Sequence, residues 1–142
     1  MANKTKKTDI SVIIPVHDLT EVTEKLFANA VQSVADQFIR PDKLIIVAAS
    51  YIKKKIDAFD FGELKNMVTI IENKGDTDFS SQLNLGVSKV KTTWFTLLEY
   101  DDEFSKIWVK NVTEYKAIYT DVDMFLPIIV DVDETGAFLG LS

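Results

Sequence analysis

The chain contains no cysteine and a single histidine, His17. Without thiols there can be no disulfide framework and no thiolate metal site, and one imidazole cannot build a multi-histidine zinc centre. The missing cysteines are compatible with a reducing cytoplasm, which is the location expected here. Long hydrophobic runs are absent as well, so no stretch has the roughly 20 apolar residues of a membrane span. The basic start Met1-Ala2-Asn3-Lys4-Thr5-Lys6-Lys7 lacks the apolar core of a signal peptide, and residues 1–8 are expected to form a disordered tail. Basic residues are outnumbered, 16 against 22 acidic, for a formal net charge of −6. That balance disfavours nucleic acid as a partner, because such binding neutralises phosphates with Lys and Arg. It also means that a phosphorylated ligand needs a cation between itself and the protein. Neither Gly-x-Gly-x-x-Gly nor Gly-x-x-x-x-Gly-Lys-Ser/Thr occurs, so dinucleotide-fold and P-loop phosphate cradles are unsupported.

What is present is a succession of short apolar runs. Ile10–Val16 and Lys43–Ala49 are almost continuously apolar and rich in β-branched residues, as in strands covered on both faces. Pro15 has no N–H and is expected to mark the first strand's end. Further strands are expected near 67–72 and 94–99. Between them, Val22, Leu26, Ala30 and Val34, with Phe27, Val31 and Phe38 alongside, give a helical stripe. Phe79, Leu83, Val87 and Val90 give another, and Ile107-Trp108-Val109-Val112-Tyr115 a third. Gly86 costs its helix about 1 kcal/mol relative to Ala; close approach to a sheet would explain it. Met124 to Val132 is strand-like and Asp133-Glu134-Thr135-Gly136 a hairpin turn. Alternating strands and helices predict an α/β domain over 9–142, a mostly parallel sheet flanked by helices with a C-terminal hairpin.

Chemistry is concentrated in Leu97-Leu98-Glu99-Tyr100-Asp101-Asp102-Glu103-Phe104, where an apolar strand runs into four acidic groups. Carboxylates cannot sit unpaired in a sheet's core, so they belong at its carboxyl end, where open α/β sheets bind ligands. In an extended segment Glu99 and Asp101 would share one side. Such oxygen ligands suit Mg²⁺ or Mn²⁺. The bland reading is a solvated acidic turn. Likewise, His17 reads as an ordinary loop residue, Asn73 and Gly75 as turn formers, and Trp94, Trp108 and Phe104 as core. A phosphatase-like or receiver-like domain is disfavoured, because those folds want an aspartate where Pro15-Val16 stands.

Taken in order, the motifs resemble the family 2 glycosyltransferases of the GT-A fold. Ser11-Val12-Ile13-Ile14-Pro15-Val16-His17-Asp18 is similar to that family's opening S-V-I-I-P-V-Y-N. Asn73-Lys74-Gly75 and Asn84-Leu85-Gly86 resemble its two Asn-x-Gly signatures. Leu98-Glu99-Tyr100-Asp101-Asp102 resembles its L-D-x-D-D run. The resemblance covers roughly residues 9 to 140, the family's nucleotide-sugar half. It implies a Rossmann-like domain that binds a nucleotide-diphospho-sugar through Mn²⁺ or Mg²⁺, for transfer to an acceptor whose identity the residues do not give. Carried over by position, Pro15, Val16, His17, Asp18, Ser50, Asn73, Lys74, Gly75, Asn84 and Tyr100 would contact the nucleotide. Glu99, Asp101 and Asp102 would hold the metal.

Three departures stand out. Val47-Ala48-Ala49-Ser50 replaces V-V-D-D-G-S, which removes the carboxylate that recognises the base. Glu99 replaces the first aspartate of the metal motif. The acceptor half, with its catalytic base, is expected from a further domain or subunit, and no catalytic residue is assigned. The alternative is an inactive GT-A-like binding or structural module. Phe125-Leu126-Pro127-Ile128-Ile129-Val130 through Gly140 resembles phage-encoded relatives, for which a virion or assembly role, and a virion location, would follow.

Overall fold

A computed structural model describes residues 7–142; most of the stretch expected to be a basic tail, residues 1–6, lies outside the described residues. Strands β1 (Ile10–Val16), β2 (Lys43–Ala49), β3 (Val68–Asn73) and β4 (Trp94–Leu97) form one parallel sheet in the order β3-β2-β1-β4. Helices α1 (Glu21–Ala35), α2 (Lys53–Asp57), α3 (Phe79–Val87) and α4 (Trp108–Ile118) intervene or follow. Two short strands, β5 (Val130–Val132) and β6 (Phe138–Leu141), pair antiparallel as a separate hairpin.

Period-two alternation divides β1 and β2 between two cores. Val12, Ile14 and Val16 of β1, with Leu44, Ile46 and Ala48 of β2, pack with Phe27, Ala30, Val31 and Val34 of α1. Ile13, Ile45 and Val47 face the other way, against Leu83, Leu85 and Val87 of α3. Burial on both faces is why these strands read as continuous apolar runs.

Gly86 lets α3 lie close to the sheet. A Cβ there would fall 2.6 Å from Ile13 Cγ2 and 3.0 Å from Val47 Cγ2, and overpacking of that kind costs about 1–3 kcal/mol.

Several sequence expectations need adjustment. β1 continues through Pro15, which pairs with Val47 in register. The Ile13 carbonyl accepts from Leu98 N at 2.9 Å on the β4 side. Pro15, two residues on, faces that same side beyond the end of β4, so its missing N–H disrupts no ladder. Val22 at the start of α1 is 69% exposed rather than inward, and Phe38, 68% exposed, lies past the helix's end at Ala35. A four-residue step overshoots a turn by about 40°, so the stripe begun at Val22 drifts out of the face centred on Phe27, Ala30, Val31 and Val34. Within Met124–Val132 only Val130–Val132 forms a strand.

The helix starts follow local chemistry. Thr20 caps α1 and exchanges hydrogen bonds with Thr23 as a capping box, and Asp78 caps α3 by accepting from Ser81 N. Both caps satisfy N–H groups that have no partner within the helix.

Candidate functional site

The chain lays β1, β2 and β3 successively to one side, then places β4 on the other side of β1. That reversal puts a topological switch point at the carboxyl ends of β1 and β4, where open parallel sheets form the crevice that takes ligands. Two loops line it.

After β1, His17 is exposed and Leu19 buried before α1 begins. Tyr51, just past β2, donates its hydroxyl to the His17 carbonyl at 2.6 Å, and Lys55 Nζ donates to the Leu19 carbonyl at 2.9 Å. The other loop leaves β4 at Leu97, and Leu98 extends the β1 ladder by one bond before the chain turns. Asp102 N then donates to the Glu99 carbonyl at 3.1 Å. Residues 99–102 are therefore a tight turn, not the extended segment expected, and alternation does not place Glu99 beside Asp101. Past Leu98 the next donor on this side of β1 would be Pro15, which has no N–H, and the ladder ends there. Tyr100 bridges the loops: its ring meets the His17 imidazole edge-on, with centroids 5.4 Å apart at 86°.

The electrostatics of the turn are one-sided. Burial, then the charges of Asp102 and Asp101, push the Glu99 carboxyl above its ordinary value. Burial, then Asp101 and Asp131, do the same for Asp102. The Tyr100 phenol is also raised, first by burial and then by Asp101, Asp18 and Glu99. Among the described residues no Lys or Arg lies within 4.0 Å of Glu99, Asp101 or Asp102. A cation is what would relieve this repulsion. Hard carboxylate oxygens fit Mg²⁺ or Mn²⁺ by donor type. Yet among the described residues no three His, Asp or Glu groups are gathered to cage an ion. The fit is therefore to a metal held by one or two carboxylates and completed by phosphate oxygens and water, the usual manner for Mg²⁺.

The remaining sequence-predicted residues divide. Pro15 and Val16 are buried inside β1, Val16 fully, so only their backbone could meet a ligand. Ser50 Oγ donates to the Asn73 carbonyl at 3.0 Å, tying the ends of β2 and β3. Asn73 is 6% exposed, and its own loop uses its amide. Nδ2 donates to the Asp76 carbonyl at 2.8 Å and to Gln82 Oε1 at 3.2 Å, while Oδ1 accepts from Gly75 N at 3.0 Å. Asn73 thus shapes the Lys74-Gly75 turn. Lys74 is exposed, 3.8 Å from Glu72. Asn84 is exposed on α3, roughly opposite the buried Gln82 and Gly86 around the helix axis, and the structure does not turn it toward the sheet.

Three residues have no functional role assigned from sequence, and Asp131 among them reads there as part of a solvated hairpin. Tyr51 was hidden in a lysine-rich segment. Gln82 is fully buried and leaves its Nε2 without a partner; a polar residue four positions before Gly86 was the available signal. Asp131, beside Asp102, comes from the hairpin, and no local pattern could reveal that.

The fold and its crevice define an α/β domain that presents acids and aromatic rings at a topological switch point. The chain belongs to glycosyl transferase family 2, whose model matches residues 11–139. Solved structures with the same fold include S. aureus TarS 1-349, at 14% identity and a TM-score of 0.64 over 78% of this chain and 33% of that one. The complex of TarS 1-349 with UDP-GlcNAc matches at 15% identity and a TM-score of 0.62, over 78% and 32% respectively. The chain therefore spans about a third of the length of these TarS structures. No curated protein sequence matches it. Among the described residues no helix is long and apolar enough to cross a membrane.

Proposed function

We propose that this domain binds a nucleotide-diphospho-sugar in the β1/β4 crevice and is the donor half of a sugar-transfer enzyme. The observation that carries this is the meeting of the His17 loop and the Glu99–Asp102 turn at the switch point, with no Lys or Arg among the described residues within 4.0 Å of the acids. Asp101, with Asp102 or Glu99, would hold Mn²⁺ or Mg²⁺ against the diphosphate. When bound, the ion supplies Lewis-acid stabilisation of the leaving diphosphate. His17, Asp18 and Tyr100 line the nucleoside side, and Ser50, Asn73 and Gly75 fix the neighbouring loop. S. aureus TarS 1-349, which shares the fold, has been solved in complex with UDP-GlcNAc, which supports a donor of this class. The acceptor site would come from a further domain or subunit.

A second reading, an inactive assembly module, has one observation in its favour. The hairpin leaves Val130, Val132, Phe138, Leu139 and Leu141 each more than half exposed. Calorimetry against a panel of nucleoside diphosphates, with Mn²⁺ and again with EDTA, separates the two. Metal-dependent binding is expected; failure of every nucleotide in both conditions would leave the assembly reading standing.

A further inference from the structure

We propose that Tyr51 is the nucleobase-binding residue of this domain, its ring receiving the face of the base. The inference rests on the nucleotide reading above and assigns one part of the ligand to one side chain.

Tyr51 stands at the carboxyl end of β2, in the short turn Ser50–Ile52. Its neighbour Ile52 is buried, so the backbone on which the ring is mounted is anchored in the core. The side chain itself is 69% exposed. It is nevertheless held at its far end, because the hydroxyl donates to the His17 carbonyl at 2.6 Å. An aromatic ring fixed at both ends and open on its faces is preorganised, and loses little freedom when a flat partner lands on it.

A role as a simple pin for the His17 loop does not require that ring. The loop is already held by Lys55 on the Leu19 carbonyl and by the edge-on contact of His17 with Tyr100. What Tyr51 adds is a π face at the crevice margin, and of the parts of a nucleotide-diphospho-sugar only the base has a matching one.

The order of groups along the strand ends agrees. From β2 through β1 to β4 come Tyr51, then His17 with Asp18, then Tyr100 and the acidic turn. A nucleotide laid along them would put base, ribose and diphosphate in that sequence, with the diphosphate nearest the carboxylates. Ala48 and Ala49 are fully buried and offer no side-chain hydrogen bond to a base edge. Recognition through a stacked face, which every base possesses, is tolerant of base identity.

The test is calorimetry of the parent, Tyr51→Ala and Tyr51→Trp against uridine diphosphate, guanosine diphosphate and inorganic pyrophosphate, all with Mn²⁺. Tyr51→Ala is expected to weaken both nucleoside diphosphates by about tenfold or more, with pyrophosphate unchanged. Tyr51→Trp keeps a π face but loses the bond to His17, and should restore the nucleoside affinities. Equal losses for pyrophosphate would show that Tyr51 only holds the loop, and unchanged nucleotide binding would show that the base goes elsewhere. A tryptophan variant no better than alanine would also overturn the assignment, and it covers the case in which the alanine variant fails to fold. In each of these outcomes metal-dependent binding by the parent leaves the wider nucleotide reading standing. A parent that binds none of the three ligands brings both down.

Discussion

Asp9 and Asp42 precede β1 and β2 at the amino end of the sheet, and Glu99, Asp101 and Asp102 follow β4 at its carboxyl end. The chemical group is the same and the surroundings are opposite. Asp42 accepts from Thr8 N at 2.8 Å, Thr8 Oγ1 at 3.0 Å and Asp9 N at 3.0 Å. Asp9 accepts from Thr93 N at 2.9 Å, and its carboxyl is held below the usual range chiefly by hydrogen bonds from Thr93. These bonds join the starts of β1, β2 and β4 and hold Asp9 at φ +58°, a left-handed conformation uncommon for a residue with a side chain. At the other end each acid is surrounded chiefly by further acids. Donors around a carboxylate stabilise the fold, whereas a carboxylate left to repel its neighbours is an unfilled electrostatic demand. On the proposed reading, the two ends separate stability from binding within one sheet.

The sharpest way to break that separation is substitution at each end. Asp101→Asn removes charge from the turn without emptying any packed space. It should reduce metal-dependent nucleoside diphosphate affinity by more than a hundredfold, about 3 kcal/mol, while stability changes by less than about 0.5 kcal/mol. Calorimetry with Mn²⁺ alongside urea unfolding reads both quantities; a variant that binds as the parent does removes Asp101 from the site. Asp42→Ala should do the converse. Losing three accepted hydrogen bonds in a partly buried setting should cost about 2 kcal/mol of stability, with nucleotide affinity of the folded protein unchanged. Were Asp42→Ala to weaken binding as much as Asp101→Asn does, the two ends would not be independent.

The same contrast explains what the sequence could disclose. Strand positions were legible because β1 and β2 are buried on both faces, and that demands the continuous apolar runs seen at Ile10–Val16 and Leu44–Ala49. Gly86 was legible because a glycine inside a helix asks for a close neighbour, and Ile13 is that neighbour. The acidic run marked a strand end, but its shape was not legible. Whether Glu99–Asp102 stays extended or turns depends on whether β1 can continue the ladder, and the next donor there, Pro15, some 85 positions earlier, has no N–H. The inward face of α1 was only half legible, since a stripe counted in fours drifts while burial follows the sheet. Asp131 approaches Asp102 through a hairpin whose own apolar residues are mostly exposed. The sequence marked a hairpin there, but not which part of the sheet it would approach.

The smallest expected effect is on the pH dependence of stability, and its sign distinguishes the two ends. Asp9 has a folded value below its ordinary one, so its contribution is present above the ordinary carboxylate range and is lost as pH falls through the lowered value. Glu99 and Asp102 have folded values above their ordinary ones. Between the ordinary and the raised values the folded protein binds more protons than the unfolded chain, so stability falls as pH rises through that window. The windows lie on opposite sides of the ordinary carboxylate value and can be read separately. Urea midpoints measured from that value upward should decline in the parent and stay flatter in the double variant Glu99→Gln/Asp102→Asn. Mn²⁺ with a nucleoside diphosphate should oppose the decline in the parent, because a metal binds the ionised carboxylates and gains affinity as they lose protons. A parent midpoint that stays as flat through the window as the double variant's would mean that the turn's acids do not strain the folded state, and the case for a cation there would lose its electrostatic ground.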